Sequence, residues 1–291
     1  TMLLGTGTAF GAMAAVFHIL NHATFKAALF MSAGIIDHEA HTRDIRRLGG
    51  LRTLMPVTFV IATLAALSMA GIPFLNGFLS KEMMLEEANR TVLLGSAWLV
   101  PVLATIGSLL SAAYCFRLIG HVFLGPVRSD YPAKPHDPGS AMWLPPAILV
   151  VLVVLIGVLP GLAEPYVKLV TASVLGGEAE VPKAYFKLWH GLVPALYMSV
   201  IALVGGLLLI LAFFKPTLQL WESTPRPEAK IIFEAIIAAA VRLAQILILP
   251  LHNGAFTRYA AIGSIAIIGA GYHAWSTGTI GPPTREMQPA D

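Results

Sequence analysis

Residues 9–36 read AFGAMAAVFHILNHATFKAALFMSAGII. The run is long and apolar enough to cross a bilayer as a helix, which takes about 20 residues. Its middle nevertheless carries His18, His22 and Lys26. The spacing is i, i+4, i+8, so on an α-helix all three project from one face. An ionisable group at mid-bilayer costs about 2.5–3.5 kcal/mol on insertion scales and is rarely idle. This stretch predicts an all-α integral membrane protein, a multi-pass helical bundle organised around protonatable groups.

The composition agrees. Of 291 residues, 56% are hydrophobic and only 12% are charged, against about 25% charged in soluble domains. The mean hydropathy is +0.75. The apolar runs have helical length and lack the ten-residue alternation of a membrane barrel. A net charge of +3 is too small to argue for nucleic acid and reflects loop lysines and arginines at the membrane surface. The single Cys115 excludes an internal disulfide and a cysteine-ligated cluster. No phosphate-binding loop, dinucleotide fingerprint or nucleophile elbow occurs, so no cofactor and no enzyme chemistry is expected. The chain opens on Thr1-Met2, already leading into an apolar run, and is expected to be a piece of a longer polypeptide or one chain of a split one.

Working outward, helices are predicted over about 5–36, 55–71, 91–124, 142–162, 191–214 and 257–275. That makes about six spans. The loop 37–53, with Arg43, Arg46, Arg47 and Arg52, reads as cytoplasmic by the excess of positive charge. Residues 163–190 read as a polar connection. Residues 215–229, with Pro216, Pro225 and Pro227, read as a non-helical linker. In 228–250, Lys230, Glu234, Arg242 and Gln245 share one stripe of an otherwise apolar helix, which suits a lateral amphipathic element. No tandem repeat is visible.

A second key stretch is AGIPFLNGFLSKEMMLEEANR, residues 70–90. Gly71, Pro73, Asn76 and Gly77 break the helix there, and Lys81 follows the break. Broken helices at membrane depth face protein or a wet cavity and mark ion sites in transporters. Lys81 is therefore a candidate proton carrier, with a salt bridge to Glu82 or Glu86 as the bland reading. Lys26 lies too far from either end of its run for easy snorkelling. A lysine in such surroundings can hold and release a proton, and two imidazoles on its stripe can relay one. A zinc half-site at His18 and His22 is the competing reading, but no carboxylate or cysteine joins them within 9–36. Asp37, His38, Glu39 and His41 read as a solvated loop with internal ion pairs. Arg117 and His121 read as snorkelling side chains or the mouth of a proton path, and Tyr272, His273 and Trp275 as an interfacial belt.

The run FHILNHATFKAALFMSAGIIDHEAHTRDIRRLGGL and the segment AGIPFLNGFLSKEMMLEEA resemble the proton-conducting antiporter subunits, namely the large membrane subunits of respiratory complex I and of multisubunit Mrp-type Na+/H+ antiporters. The wording is most similar to the A-type member of the Mrp set. The strong motifs cover about residues 15–90. The resemblance implies two inverted five-helix repeats, of which this chain would hold only the second. It implies that Lys81 is the broken-helix lysine and that Lys26, His22 and His18 lie on a mid-membrane hydrophilic axis. It also implies that 228–250 is a lateral helix clamping neighbouring subunits. On this view 1–125 is the second half of the proton-channel module, 126–225 adds transmembrane helices, 226–250 is the lateral helix, and 251–291 is the last span and tail. The implied function is proton translocation through a Lys/His relay coupled to Na+ export, in a hetero-oligomer of Mrp subunits in a bacterial cell membrane. A proton-pumping subunit of an NADH:quinone oxidoreductase is the alternative, and a purely structural membrane subunit is the bland third.

Overall fold

A computed structural model describes residues 3–177, 181–182, 186–189, 191–223, 228–248 and 254–278. The regular structure among these residues is helical, apart from one isolated bridge between Leu93 and Ser96. The helices are α1 (Ala9–Ala40), α2 (Leu51–Leu54), α3 (Pro56–Ala70), α4 (Asn76–Arg90), α5 (Leu99–Leu118), α6 (Ser140–Val158), α7 (Glu164–Val174), α8 (Pro194–Ser223), α9 (Ala229–Ile248) and α10 (Phe256–Ser276). Among the described residues five stretches are long and apolar enough to cross a membrane: α1, Leu99–Leu124, α6, Pro194–Phe213 of α8, and α9. The chain forms two compact units, Thr1–Gln219 and Leu220–Asp291.

In the first unit α1 is the hub, packing against α3, α4, α6 and α7. Its sequence is rich in alanine and free of proline, which suits a helix of 32 residues. Thr8 caps it, its Oγ1 accepting from Gly11 N at 2.9 Å. The same hydroxyl donates to Glu87 Oε1 of α4 at 2.5 Å, tying two helices at one end. His41 ends α1 in the left-handed region at φ 52°.

Several expectations change. Asp37, His38 and Glu39 belong to α1 rather than to a loop, because Ala40 is the last residue before the helix unwinds. Residues 91–98 are not helical, so the third span starts at Leu99. It ends in a π-helical turn, Ile119–Leu124, of the kind that often marks a functional site. The connection after 163 contains α7, an amphipathic helix that buries Val167 and Thr171 against the core. Pro216 does not end α8, which runs on to Ser223. A proline costs a helix one backbone hydrogen bond, and here the helix continues through it. Pro225 and Pro227 lie outside the described residues, as do Lys183 and Glu178 of the preceding connection.

Long-range polar contacts fix the chain between spans. Asp137 accepts from Val57 N at 2.8 Å and Thr58 N at 3.0 Å, and from Thr58 Oγ1 at 2.8 Å. It therefore caps α3 from a distance of 80 residues in sequence. Glu39, its side chain only 9% exposed, pairs with His38 Nδ1 at 3.0 Å and with His136 Nε2 at 3.2 Å. Between α1 and α2, Asp44 caps the short turn Ile45–Arg47 and pairs with Arg46. The Arg46 guanidinium holds the Asp44 carboxyl down at about 2.

In the second unit, α9 and α10 each form a regular helix. Lys230 and Glu234 pair along α9 at 3.8 Å. Tyr272 and Trp275 of α10 are exposed, their rings 6.1 Å apart.

Candidate functional site

The site is built on the interruption at 71–75 that separates α3 from α4. Gly71 takes φ +97°, which strongly favours glycine. Its N–H donates to Ser68 O at 3.0 Å and Leu67 O at 3.1 Å, and Ile72 N donates to Leu67 O at 3.0 Å. This glycine-capped ending satisfies the last carbonyls of α3 on the inner turn. Pro73 follows and bars the helix from continuing. Phe74 sits at φ 69°, and α4 begins at Asn76. The carbonyl of Ala70 is left over, and it accepts from Lys81 Nζ at 3.1 Å. Lys81 is 9% exposed. Its other partner is Ser111 Oγ of α5 at 3.4 Å. Among the described residues its partners are therefore neutral oxygens. The alternative reading, a salt bridge from Lys81 to Glu82 or Glu86, does not occur among the described residues, and Glu86 pairs with Arg90. Burying a charge without a counter-charge is expensive, and the free end of α3 offsets part of that with its negative dipole.

A buried polar cluster holds the break against α1. Asn76 Nδ2 donates to Thr24 Oγ1 at 2.9 Å, and Asn76 Oδ1 accepts from Ser68 Oγ at 2.8 Å. Asn76 O accepts from Asn21 Nδ2 at 3.0 Å, and Gly77 N donates to Ser68 Oγ at 3.0 Å. Asn21, Ser68 and Asn76 are fully buried. On the far side, Gly157 of α6 lies so close that a Cβ there would strike Phe74 O and the backbone of Leu75.

The predicted row on α1 divides. His18 is half-buried, and its Nδ1 lies 3.1 Å from Ser80 Oγ, next to Lys81 in sequence. His22 is exposed and stacks obliquely with His18, ring centroids 5.8 Å apart. Both rings lean on Phe25. Lys26 is half-buried, its Nζ 5.3 Å over the Phe30 ring. His18 is thus brought to α4, whereas His22 and Lys26 lie along the outer flank of α1 in the isolated chain. The inward stripe of α1 is one residue over: Phe17, Asn21, Thr24, Phe25 and Ala28.

Sequence reasoning passed over Asn21, Thr24, Ser68 and Ser111. The usable signal was the occurrence of small polar side chains inside apolar runs, which join helices where water is absent. Arg117 and His121, at the π-turn, line a pocket of about 160 Å³ with Phe116, Gly120 and Ile210. Among the described residues no group of three or more histidine, cysteine or acidic side chains is arranged to hold a metal ion.

An all-helical membrane bundle with a buried amine beside a helix interruption defines the class, and comparison with known proteins gives the family. Residues 1–111 match the family described as NADH:quinone oxidoreductase/Mrp antiporter, TM. The chain carries an antiporter-like domain of the Mrp A type. It is 47% identical over 71% of its length to the probable A/B subunit of a K(+)/H(+) antiporter from Rhizobium meliloti (strain 1021), covering 21% of that protein. It is 40% identical over 69% of its length to the A1 subunit of a Na(+)/H(+) antiporter from Staphylococcus aureus (strain JH9), covering 26% of it. The chain therefore spans about a fifth to a quarter of these curated relatives. Its fold matches the solved Mrp complex from Dietzia sp. DQ12-45-1b with a TM-score of 0.75 at 28% identity, over 99% of this chain and 31% of that one. The membrane-bound sulfane sulfur reductase, an archaeal respiratory membrane complex, shares the fold at a TM-score of 0.55 and 20% identity, over 91% of this chain and 48% of that one.

Proposed function

We propose that this chain is part of one component of a bacterial monovalent cation/proton antiporter, assembled with other Mrp-type subunits in the cell membrane. Protons move past Lys81 and His18, with His22 and Lys26 continuing the row on α1, and the movement is coupled to Na+ export. The observation that carries the reading is Lys81 itself: a buried amine, 3.1 Å from the Ala70 carbonyl at a helix break, with only neutral oxygen partners among the described residues. Charge arriving beside a buried amine changes its proton occupancy. His18, through Ser80, supports a route from α1 to that amine.

The 71–75 interruption acts as a broken transmembrane helix that opens the Ala70 carbonyl to Lys81. In this reading α9 is the lateral element and the proton-channel half ends near residue 125, as the sequence suggests. K+ is the second candidate cation, because the 47% identical relative is named for K(+)/H(+) exchange.

The test is Lys81→Ala in the assembled complex, with cation-driven proton movement followed in everted vesicles under separate Na+ and K+ gradients. Loss of transport with normal assembly is the expected result. Unchanged transport overturns the relay. Proton movement that follows NADH oxidation instead of a cation gradient replaces the antiporter reading with that of a redox-driven pump.

A further inference from the structure

Lys81 has a side facing away from α1. There a small cavity of about 10 Å³ is lined by Ala70, Gly71, Lys81 and Leu85, by Ser108 of α5, and by Ser199, Ala202 and Leu203 of α8. That volume is at the lower end of what one water molecule needs. Ser108 is 5% exposed and Ser199 7%. The Oγ atoms of both are buried and make no hydrogen bond among the described residues. Leaving a buried hydroxyl unpaired costs free energy, so native structures almost always give it a partner. Two such hydroxyls, on different helices, border the cavity that a buried amine also borders.

The helices come together there because glycine permits it. A Cβ on Gly206 of α8 would lie 2.9 Å from Ala112 Cβ and from Leu109 O of α5. The α5–α8 approach is backbone-close, of the small-residue kind found between membrane helices, and it brings Ser199 alongside Ser108. Met198 and Ala195 of α8 pack with Leu85 and Ala88 of α4, closing the third side.

We propose that Ser108 and Ser199 hold a water molecule that is the α8-side proton partner of Lys81, so that the amine has two faces: one toward His18, the other toward α5 and α8. An ammonium has three N–H donors. Two are accounted for by Ala70 O and Ser111 Oγ. The third is directed to the water seated between the two serines. When the amine gives up a proton by this route, an N–H bond breaks and an O–H bond forms on the water, and the serine oxygens share the charge until it moves on. Ser108 and Ser199 are positioning residues. The titratable groups around Lys81 are His18 on α1, Glu82 next to it on α4, and Tyr114 and Cys115 on α5, and none of them lines this cavity.

The inference rests on the relay reading above, and the experiment separates the two. Ser108→Ala and Ser199→Ala, singly and together, are compared with Lys81→Ala in the assembled complex in everted vesicles, across a pH series. The double variant is expected to lose about tenfold in cation-driven proton flux, as for removal of a hydrogen bond to a charged group. Its pH profile is expected to shift, since the amine has lost a hydrogen-bond partner. A wild-type rate and profile in the double variant, with Lys81→Ala inactive, overturns this inference and leaves the relay standing. If Lys81→Ala is also silent, both fall. Should the double variant not assemble, the singles decide: a shifted profile in either supports the site, and an unchanged profile in both overturns it.

Discussion

Lys81 Nζ donates to the carbonyl oxygen of Ala70 at 3.1 Å, across a break that lies within 11 residues of chain. The amine and the last free carbonyl of α3 meet because Gly71 turns the backbone through a left-handed conformation between them. The contact makes the break and the lysine one device: anything that refolds the turn also moves the amine.

Gly71→Ala tests that directly. At φ +97° a Cβ is strained, and it would sit 3.1 Å from Lys81 Cδ. The strain alone costs about 1–2 kcal/mol. The complex is expected to melt earlier and to lose transport, read as thermal stability alongside vesicle proton flux. Wild-type values for both would show that the turn tolerates a side chain.

Asn76 is the centre of the polar cluster, with its side chain bonded to Thr24 and Ser68. Asn76→Ala leaves those hydroxyls without it in an apolar setting, at about 1–3 kcal/mol for each group left unsatisfied. The loss should appear as reduced thermal stability, and Ser68→Ala should also destabilise in the same assay, since it leaves Asn76 Oδ1 and Gly77 N without their partner.

Asp137 caps α3 from a loop. Asp137→Ala is expected to destabilise by about 0.5–2 kcal/mol, and Asp137→Asn by less, since the amide oxygen still accepts. Denaturation of the purified protein in detergent measures the difference.

His18 and His22 are predicted to differ. His18 reaches Ser80, whereas His22 is exposed and touches His18 and Phe25. His18→Ala should lower proton flux by about tenfold or more, as for loss of a proton-transfer group, and His22→Ala by clearly less. Equal losses would mean that the outer flank of α1 matters as much as its contact with α4.

The Asp44–Arg46 clip should be insensitive to pH in the working range. Its carboxyl is lowered to about 2, so the stabilisation is present in full above the unfolded value of about 3.9 and is lost only as pH falls toward the folded value. Tryptic cutting at 43–47 should therefore be the same at pH 7 and pH 8.5 relative to a reference site, and faster in Asp44→Asn.

The helical membrane class, the helix interruption at 71–75 and the likeness to Mrp A-type antiporter subunits were legible in the sequence, because these follow from local properties. Apolar length sets a span, glycine and proline stop a helix, and the HxxxHxxxK and FLSKEMM stretches carry their identity in the chain. The sequence also singled out Lys81, since an amine beside a break needs no neighbours to be conspicuous. It could not say which face of α1 turns inward. The rule that i, i+4 and i+8 share a face holds for His18, His22 and Lys26, yet that face lies at the edge, and the buried stripe runs through Asn21 and Thr24. Helical phase is fixed by what packs against the helix, here α3, α4, α6 and α7, and no periodicity within one segment records it. The surroundings of Lys81 were hidden for the same reason: Ser111 lies 30 residues away in sequence, and Ser108 and Ser199 come to line one cavity only through the packing of α5 and α8. Folding decided which hydroxyls surround the amine, because a hydrogen bond depends on distances in space that chain order does not encode.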